Sequence, residues 1–429
     1  MPPRQRSQAL TALATATIIS GLAGTLYYLD VPSILRQRVK SRKVEPRCYD
    51  LNSPPSLADL RLLTQQSTLK EPYPLATRIE KNIPIYDCSK FDLEDKESVD
   101  RLQDEWHHIL LSGPGVYILQ NFYPNTTIID TTNTAYEAIA THEISETGAK
   151  GDHFSAAQTN TRIWNSLSKH CLQDPASFMK YHSNPLFRLV CESWLGPAYR
   201  ITSQVNIVKP GGQAQTVHRD YHLGFQTPKD SVKWPKSMHV ASQFLTLQGA
   251  VAHTDMPIES GPTRFLPFTQ MFEEGYLAYR LPGFQKYFQE NYVSLPLKKG
   301  DAVFFNPALF HAAGENTTKD FSRSANLIQV SSACGKPMEG LDSIPMVEAC
   351  WDLLVAKYKA ERCSREVDAL IRAIGEGYSF PTNLDRRPPA PGGMAPESEQ
   401  DLLFQGLEEG WSRDKTVGLL RDLRRDSVA

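Results

Sequence analysis

The feature that most constrains this chain is His218-x-Asp220, inside Gln213-Ala-Gln-Thr-Val-His-Arg-Asp-Tyr-His-Leu-Gly224. Side chains alternate sides along an extended strand, so an imidazole and a carboxylate two residues apart point the same way. The segment before it, Ile201-Thr-Ser-Gln-Val-Asn-Ile-Val208, alternates apolar and polar residues as a strand does. Lys209-Pro-Gly-Gly212 then breaks it. His218 and Asp220 are therefore expected at a strand edge, aimed at one point. A second His would complete the two-His, one-carboxylate facial set that holds non-haem iron(II) and leaves three positions open.

Two residues compete to be that second His. His222 follows Asp220 at the same spacing, so His218, Asp220 and His222 would share one strand face. His311 lies farther on, in Asp301-Ala-Val-Phe-Phe-Asn-Pro-Ala-Leu-Phe-His-Ala-Ala-Gly314, after a Gly300-Asp301 turn and an apolar strand from Ala302 to Phe305. Arg323 opens a further strand-like run through Val330, one hairpin beyond His311. Its planar fork suits a dicarboxylate such as 2-oxoglutarate. The plain alternative for a lone Arg is a surface salt bridge.

These residues, together with Glu259-Ser-Gly-Pro-Thr-Arg-Phe-Leu-Pro267 and His311-Ala-Ala-Gly314, resemble the phytanoyl-CoA dioxygenase family of Fe(II)- and 2-oxoglutarate-dependent oxygenases. The likeness runs, in the family's order, over roughly residues 95 to 335. It implies Fe(II) on His218, Asp220 and His311, 2-oxoglutarate on Arg323, and O2 as co-substrate. The implied reaction hydroxylates (or desaturates or cyclises) a small molecule and releases succinate and CO2. His222 then becomes a substrate-facing or supporting group. The sequence departs from the family at Pro267-Phe-Thr-Gln270 and at Ala313, where some members carry a Ser or Thr that helps hold the co-substrate. Thr216, Gln204 and Asn206 are the candidates by position for that second anchor. Short strands, Gly-Pro turns and long helical flanks imply a mainly β fold with a double-stranded β-helix (jelly roll) core and helices packed on one side.

Composition is ordinary for a globular protein, 41% hydrophobic and 22% charged, and a net charge of -2 gives no reason to expect nucleic acid. Seven scattered cysteines without Cys-x-x-Cys indicate neither a disulfide framework nor a zinc site. Residues 1–45 stand apart. Residues 9–29 carry no charge, close to the ~20 residues that span a bilayer. Arg4 and Arg6 precede the run, and Arg36, Arg38, Lys40, Arg42 and Lys43 follow it. This predicts a single-pass membrane anchor with the catalytic part on the cytoplasmic side. The absence of acidic residues before Asp30 also suits a mitochondrial presequence.

Residues 46–94 read as a Pro-punctuated linker with a short helix near 56–66, and 95–335 as the jelly-roll domain. C-terminal helices follow over 336–380, then a disordered Pro/Gly-rich linker over 381–400 and an amphipathic helix over 401–429. Within the domain, residues 95–111 form an amphipathic helix and 116–119 the first core strand. Asn184-Pro185 caps a helix through Trp194. Residues 239–252 read as two buried strand segments, in which Gln243 or Gln248 faces the active site. Arg162-Ile-Trp164 either lines the pocket or packs. The aromatic-rich stretch 271–292 is a cover for the mouth or a packed helix pair. The substrate is expected to be lipophilic: an acyl-CoA-like lipid or a terpenoid, polyketide or alkaloid intermediate. No basic cluster marks a CoA-phosphate site.

Overall fold

Arg200–Val208 is the long strand its alternation predicts. It lies in a computed structural model that describes residues 44–147, 160–380 and 382–428. Everything below concerns the compact unit Cys48–Ala429. The strands are β1 (Arg78–Glu80), β2 (Ile83–Asp87), β3 (Val116–Gln120), β4 (Asn160–Ile163), β5 (Arg200–Val208), β6 (Thr246–Ala252), β7 (Arg264–Leu266), β8 (Ala302–Phe305), β9 (Phe310–Ala312) and β10 (Arg323–Ser331). Eight form one sheet in the order β1-β2-β3-β8-β6-β10-β5-β4, antiparallel except between β2 and β3.

A second, smaller layer faces it. β7 pairs with β9, and backbone bridges Phe265–Val293 and His218–His311 extend that pair on both sides. The Phe305 ring reaches from the large sheet to Phe265 and His311 of the small one, with centroids 5.0 and 4.7 Å apart. Two antiparallel layers closed around a cavity make the double-stranded β-helix, as expected.

Alternation along the central strands decides what faces where. On β10, Arg323, Leu327 and Gln329 line the cavity, while Ile328 and Val330 pack in the main core. On β6, Gln248 and Ala250 face the cavity, while Leu247 and Val251 face the core. Helices Lys96–Leu111, Pro185–Leu195, Ser343–Glu361 and Arg365–Ile374 supply the other side of that core, with Trp106 stacked on Tyr117 and Trp351 fully buried. Asn184 caps the helix Pro185–Leu195, its side chain accepting from Leu186 N, as its sequence predicts. The same region buries His170, His182 and His253 beside Tyr136 and Tyr181.

Several expectations change. The linker expected over 46–94 contributes β1 and β2 to the large sheet, joined by a two-residue turn at Lys81 and Asn82 with φ of 49° and 69°. Residues 239–244, read as strand, are helical and only Thr246–Ala252 is extended. Beyond Pro381, the stretch expected to be disordered is tied down: Thr382 and Asn383 donate to the carbonyls of Ser427 and Val428, and Arg387 to that of Glu397. The final amphipathic helix is two helices, Glu399–Glu409 and Arg413–Ser427, separated at Gly410 with φ of 68°. They dock on the body through Leu403, Leu407, Trp411 and Leu420, and Trp351 Nε1 donates to Trp411 O at 3.0 Å.

The membrane expectation is overturned. Among the described residues no helix is long and apolar enough to cross a membrane. The uncharged run 9–29 itself lies outside the described residues. A single-pass anchor, with the cytoplasmic placement drawn from it, is therefore not supported.

Candidate metal centre and its cavity

The backbone sets the centre first. His218 and His311 exchange backbone hydrogen bonds of 3.0 and 3.2 Å, and Asp220 N donates to Pro307 O at 2.9 Å. The next strand thereby holds the extended segment, and period two sends His218 and Asp220 to the inside. Arg219 points the other way, buried at 2% exposure. Its guanidinium donates to the carbonyls of Thr269 and Phe272 and lies 5.1 and 5.2 Å from the Tyr276 and Phe310 ring centroids. Among the described residues no carboxylate pairs with it, so carbonyls and π faces carry the charge.

The two imidazoles stand 4.4 Å apart, centroid to centroid. His218 Nδ1 lies 2.9 Å from Thr216 O, and His311 Nδ1 lies 2.8 Å from Leu309 O. A carbonyl only accepts, so each Nδ1 carries the proton and each Nε2 keeps a free lone pair. Asp220 Oδ2 is 3.5 Å from His311 Nε2 and 3.9 Å from His218 Nε2. Ligand atoms held about 2.1 Å from one ion stand about 3 Å or more from each other. This donor set has the residue types and the close spacing that a metal site needs, and among the described residues it is the one group of this kind.

Burial alone would raise the Asp220 carboxyl. In acid, where both rings are protonated, the charges of His218 and His311 together with the amide of Gln248 outweigh it and hold the carboxyl far below the usual range. Gln248 Nε2 donates to Asp220 Oδ2 at 2.5 Å and lies 3.5 Å from Gln329 Oε1, its register partner on β10.

His222 does not join the set. Tyr221 and His222 have φ of 59° and 43°, which turns the chain out of the extended conformation and ends the period-two pattern. The compact alternative therefore does not form, and His222 faces a neighbouring chamber.

The cavity holds about 470 Å³ and is lined by His218, Asp220, His311 and Arg323. Arg323 is 3% exposed. Its Nε donates to Ser260 O at 2.9 Å, and among the described residues its terminal nitrogens have no hydrogen-bond partner. Burial, with Arg162 nearby, pushes the guanidinium down to about 10. A buried cation with a free fork is a site for an anion. Gly261, at φ of 74°, lies back to back with Gly314: a Cβ on Gly314 would come 2.8 Å from Gly261 Cα. The Glu259-Ser-Gly-Pro-Thr and His311-Ala-Ala-Gly motifs thus interlock, and the first presents Ser260 O to Arg323.

The Phytanoyl-CoA dioxygenase (PhyH) family pattern matches residues 91–325. The chain belongs to the phytanoyl-CoA dioxygenase family. It is thus a non-haem Fe(II)- and 2-oxoglutarate-dependent dioxygenase that uses O2. It is 23% identical over 222 residues to the dioxygenase andF of Emericella variicolor, spanning 50% of this chain and 69% of that protein. With the dioxygenase trt7 of Aspergillus terreus it shares 26% identity over 153 residues, 34% of this chain and 46% of that one. The solved structure of SnoK, a non-heme alpha ketoglutarate dependent carbocyclase from nogalamycin biosynthesis, aligns over 57% of this chain and 96% of its own, at 19% identity and a TM-score of 0.41.

In this phytanoyl-CoA dioxygenase family member the expected second-anchor candidates all line the cavity. Thr216 gives its carbonyl to His218. Gln204 is already engaged, accepting from Arg162 Nη1 at 2.8 Å and donating to Glu339 Oε1 at 3.2 Å. Asn206 keeps a buried Oδ1 without a partner. Arg162, Trp164 and Gln248 face the cavity, whereas Gln243 accepts from Asn306 instead. From the aromatic-rich stretch, Tyr279 and its neighbours Arg280 and Gln285 reach the cavity wall. Met338 and Glu339 arrive from the loop after β10, where no recognisable motif marks them.

Proposed function

We propose that His218, Asp220 and His311 hold Fe(II), that Arg323 binds the distal carboxylate of 2-oxoglutarate, and that the enzyme hydroxylates an unactivated C–H bond of a lipophilic small molecule. The observation that carries this reading is the pair of Nδ1-tethered imidazoles whose free Nε2 atoms meet one carboxylate beside a buried guanidinium with an open fork. When bound together, iron and 2-oxoglutarate supply the oxidising chemistry, and 2-oxoglutarate leaves as succinate and CO2.

The chain's own residues do the positioning. The carbonyls of Thr216 and Leu309 keep both rings in the binding tautomer. Gln248 steadies the Asp220 carboxylate, and Ser260 O fixes the plane of the Arg323 fork. Phe305, Leu327 and Trp164 give the cavity apolar walls that limit water near the reacting carbon. Asp220 occupies the position that a halide would need, which favours hydroxylation over halogenation.

Anaerobic addition of Fe(II) and then 2-oxoglutarate tests this reading. A weak visible charge-transfer band is expected in the wild type, absent in His311→Ala and weakened in Arg323→Ala. A band unchanged in His311→Ala would remove the ligand assignment, and no succinate from any lipophilic candidate would remove the reaction.

A further inference from the structure

Resting on that oxygenase reading, we propose that a second chamber, outside the metal cavity, is the substrate site and takes a neutral lipophilic molecule bearing free hydroxyl groups. This chamber holds about 720 Å³, and its wall shares Trp164, Gln204, Phe225 and Met338 with the metal cavity. The two spaces therefore adjoin across these residues. A volume of that size has room for a drug-sized ligand, far more than a co-substrate needs, and it opens to solvent. Trp164 and Phe225 offer flat apolar faces, and Met338 with Pro337 adds an adaptable one.

The polar part of the wall is unusual. Asn165 Oδ1, Tyr221 Oη, His222 Nε2 and Glu339 Oε2 are all buried, all without a hydrogen-bond partner, and all on residues lining this one chamber. Leaving such an atom unmet is costly, and native proteins keep few of them. Sealed from bulk water as they stand, these atoms gain partners when an occupant fills the chamber and the side chains turn to it. Tyr221 and His222 are also held in the left-handed region, the kind of backbone strain that concentrates at functional sites.

The chemistry of the four atoms selects the occupant. Asn165 Oδ1 accepts only. The other oxygen of Glu339 is already taken by Asn165 N at 2.9 Å and Gln204 Nε2 at 3.2 Å, so Oε2 is left to accept. Two acceptors call for donors on the ligand, and a hydroxyl group supplies them. Tyr221 and His222 can give or take a hydrogen bond with a hydroxyl or a carbonyl oxygen. A carboxylate or a CoA phosphate would meet acceptors where it needs donors, and among the described residues Lys336 is the one Lys or Arg lining the chamber. The wall therefore discriminates against an acyl-CoA.

The test is calorimetric binding to the full metal-free chain. The probes are matched diol and dimethyl-ether pairs on three skeletons (a steroid, a diterpene and a long-chain alkane), with palmitoyl-CoA as the anionic comparison. At least one diol should bind tenfold or more tightly than both its ether and palmitoyl-CoA. Glu339→Gln and Tyr221→Phe should each shrink that ratio several-fold while unfolding as cooperatively as the wild type. Equal binding of alcohol and ether, tighter binding of palmitoyl-CoA, no diol binding, or a ratio unmoved in both variants overturns the proposal. The wild-type Fe(II) and 2-oxoglutarate band is recorded in parallel. If it is missing while the diol preference holds, the oxygenase reading has failed and the chamber's chemistry stands. If it forms without that preference, the chamber proposal alone has failed.

Discussion

At the scale of single residues, the centre is a set of constraints on two rings and one carboxylate. Gln248 matters because its amide fixes the rotation of Asp220. Gln248→Leu keeps the size and removes the bond, and should lower metal affinity about 10- to 100-fold with the fold intact. Competition against a metal indicator checks this, and unchanged affinity would show that Asp220 needs no such support. Arg323→Lys keeps the charge and removes the fork. Losing one charge-assisted hydrogen bond of about 1.5–3 kcal/mol should raise KM for 2-oxoglutarate about 10- to 100-fold, whereas an unchanged KM would place the anchor elsewhere. His218, Asp220 and Arg323 were legible in the sequence because extended backbone converts spacing into direction. His222 misled for the same reason: nothing in Tyr-His announces two consecutive positive φ angles. Glu339 was illegible, since its place depends on where a loop returns.

At the scale of elements, β5, β8 and β10 were readable from alternation and apolar runs, and the helix Pro185–Leu195 from its Asn-Pro start. β1 and β2 were missed because Pro84 disguises a strand, although Lys81-Asn82 is a plausible two-residue hairpin turn. Residues 239–244 read as strand from their apolar neighbours, but the short helical turns there lay His239 against Ser231 O at 2.9 Å. Arg219 joins the His218–Asp220 segment to the region after β7, through the carbonyls of Thr269 and Phe272. Arg219→Met should destabilise the protein by about 2–4 kcal/mol by leaving those buried carbonyls unmet. It should also weaken metal binding, because the flanking ligands lose their brace. Urea unfolding and metal titration of the same variant measure both, and normal stability would show that packing alone holds the segment.

At the scale of the whole molecule, three buried imidazoles set a pH limit. Burial pushes His170 down to about 4 and His253 down to about 3, and moves His182 in the same direction. The unfolded chain binds protons at these residues below about pH 6.5, whereas the folded chain refuses them until far lower. Stability should therefore be full above about pH 6.5 and fall as the pH drops towards 4, by up to about 1.4 kcal/mol per pH unit for each His. Urea midpoints at pH 7.5, 6.5 and 5.5 should decline in that order, and a flat series would contradict the burial of these rings. One strand has a longer reach than any single contact. β10 carries Arg323 at its start and Gln329 near its end, so the anion fork and the brace behind Asp220 share a single register. A slip of one residue would send both to the opposite face. Thermal inactivation should consequently erase iron affinity and 2-oxoglutarate affinity in one step, leaving no half-competent species that retains either.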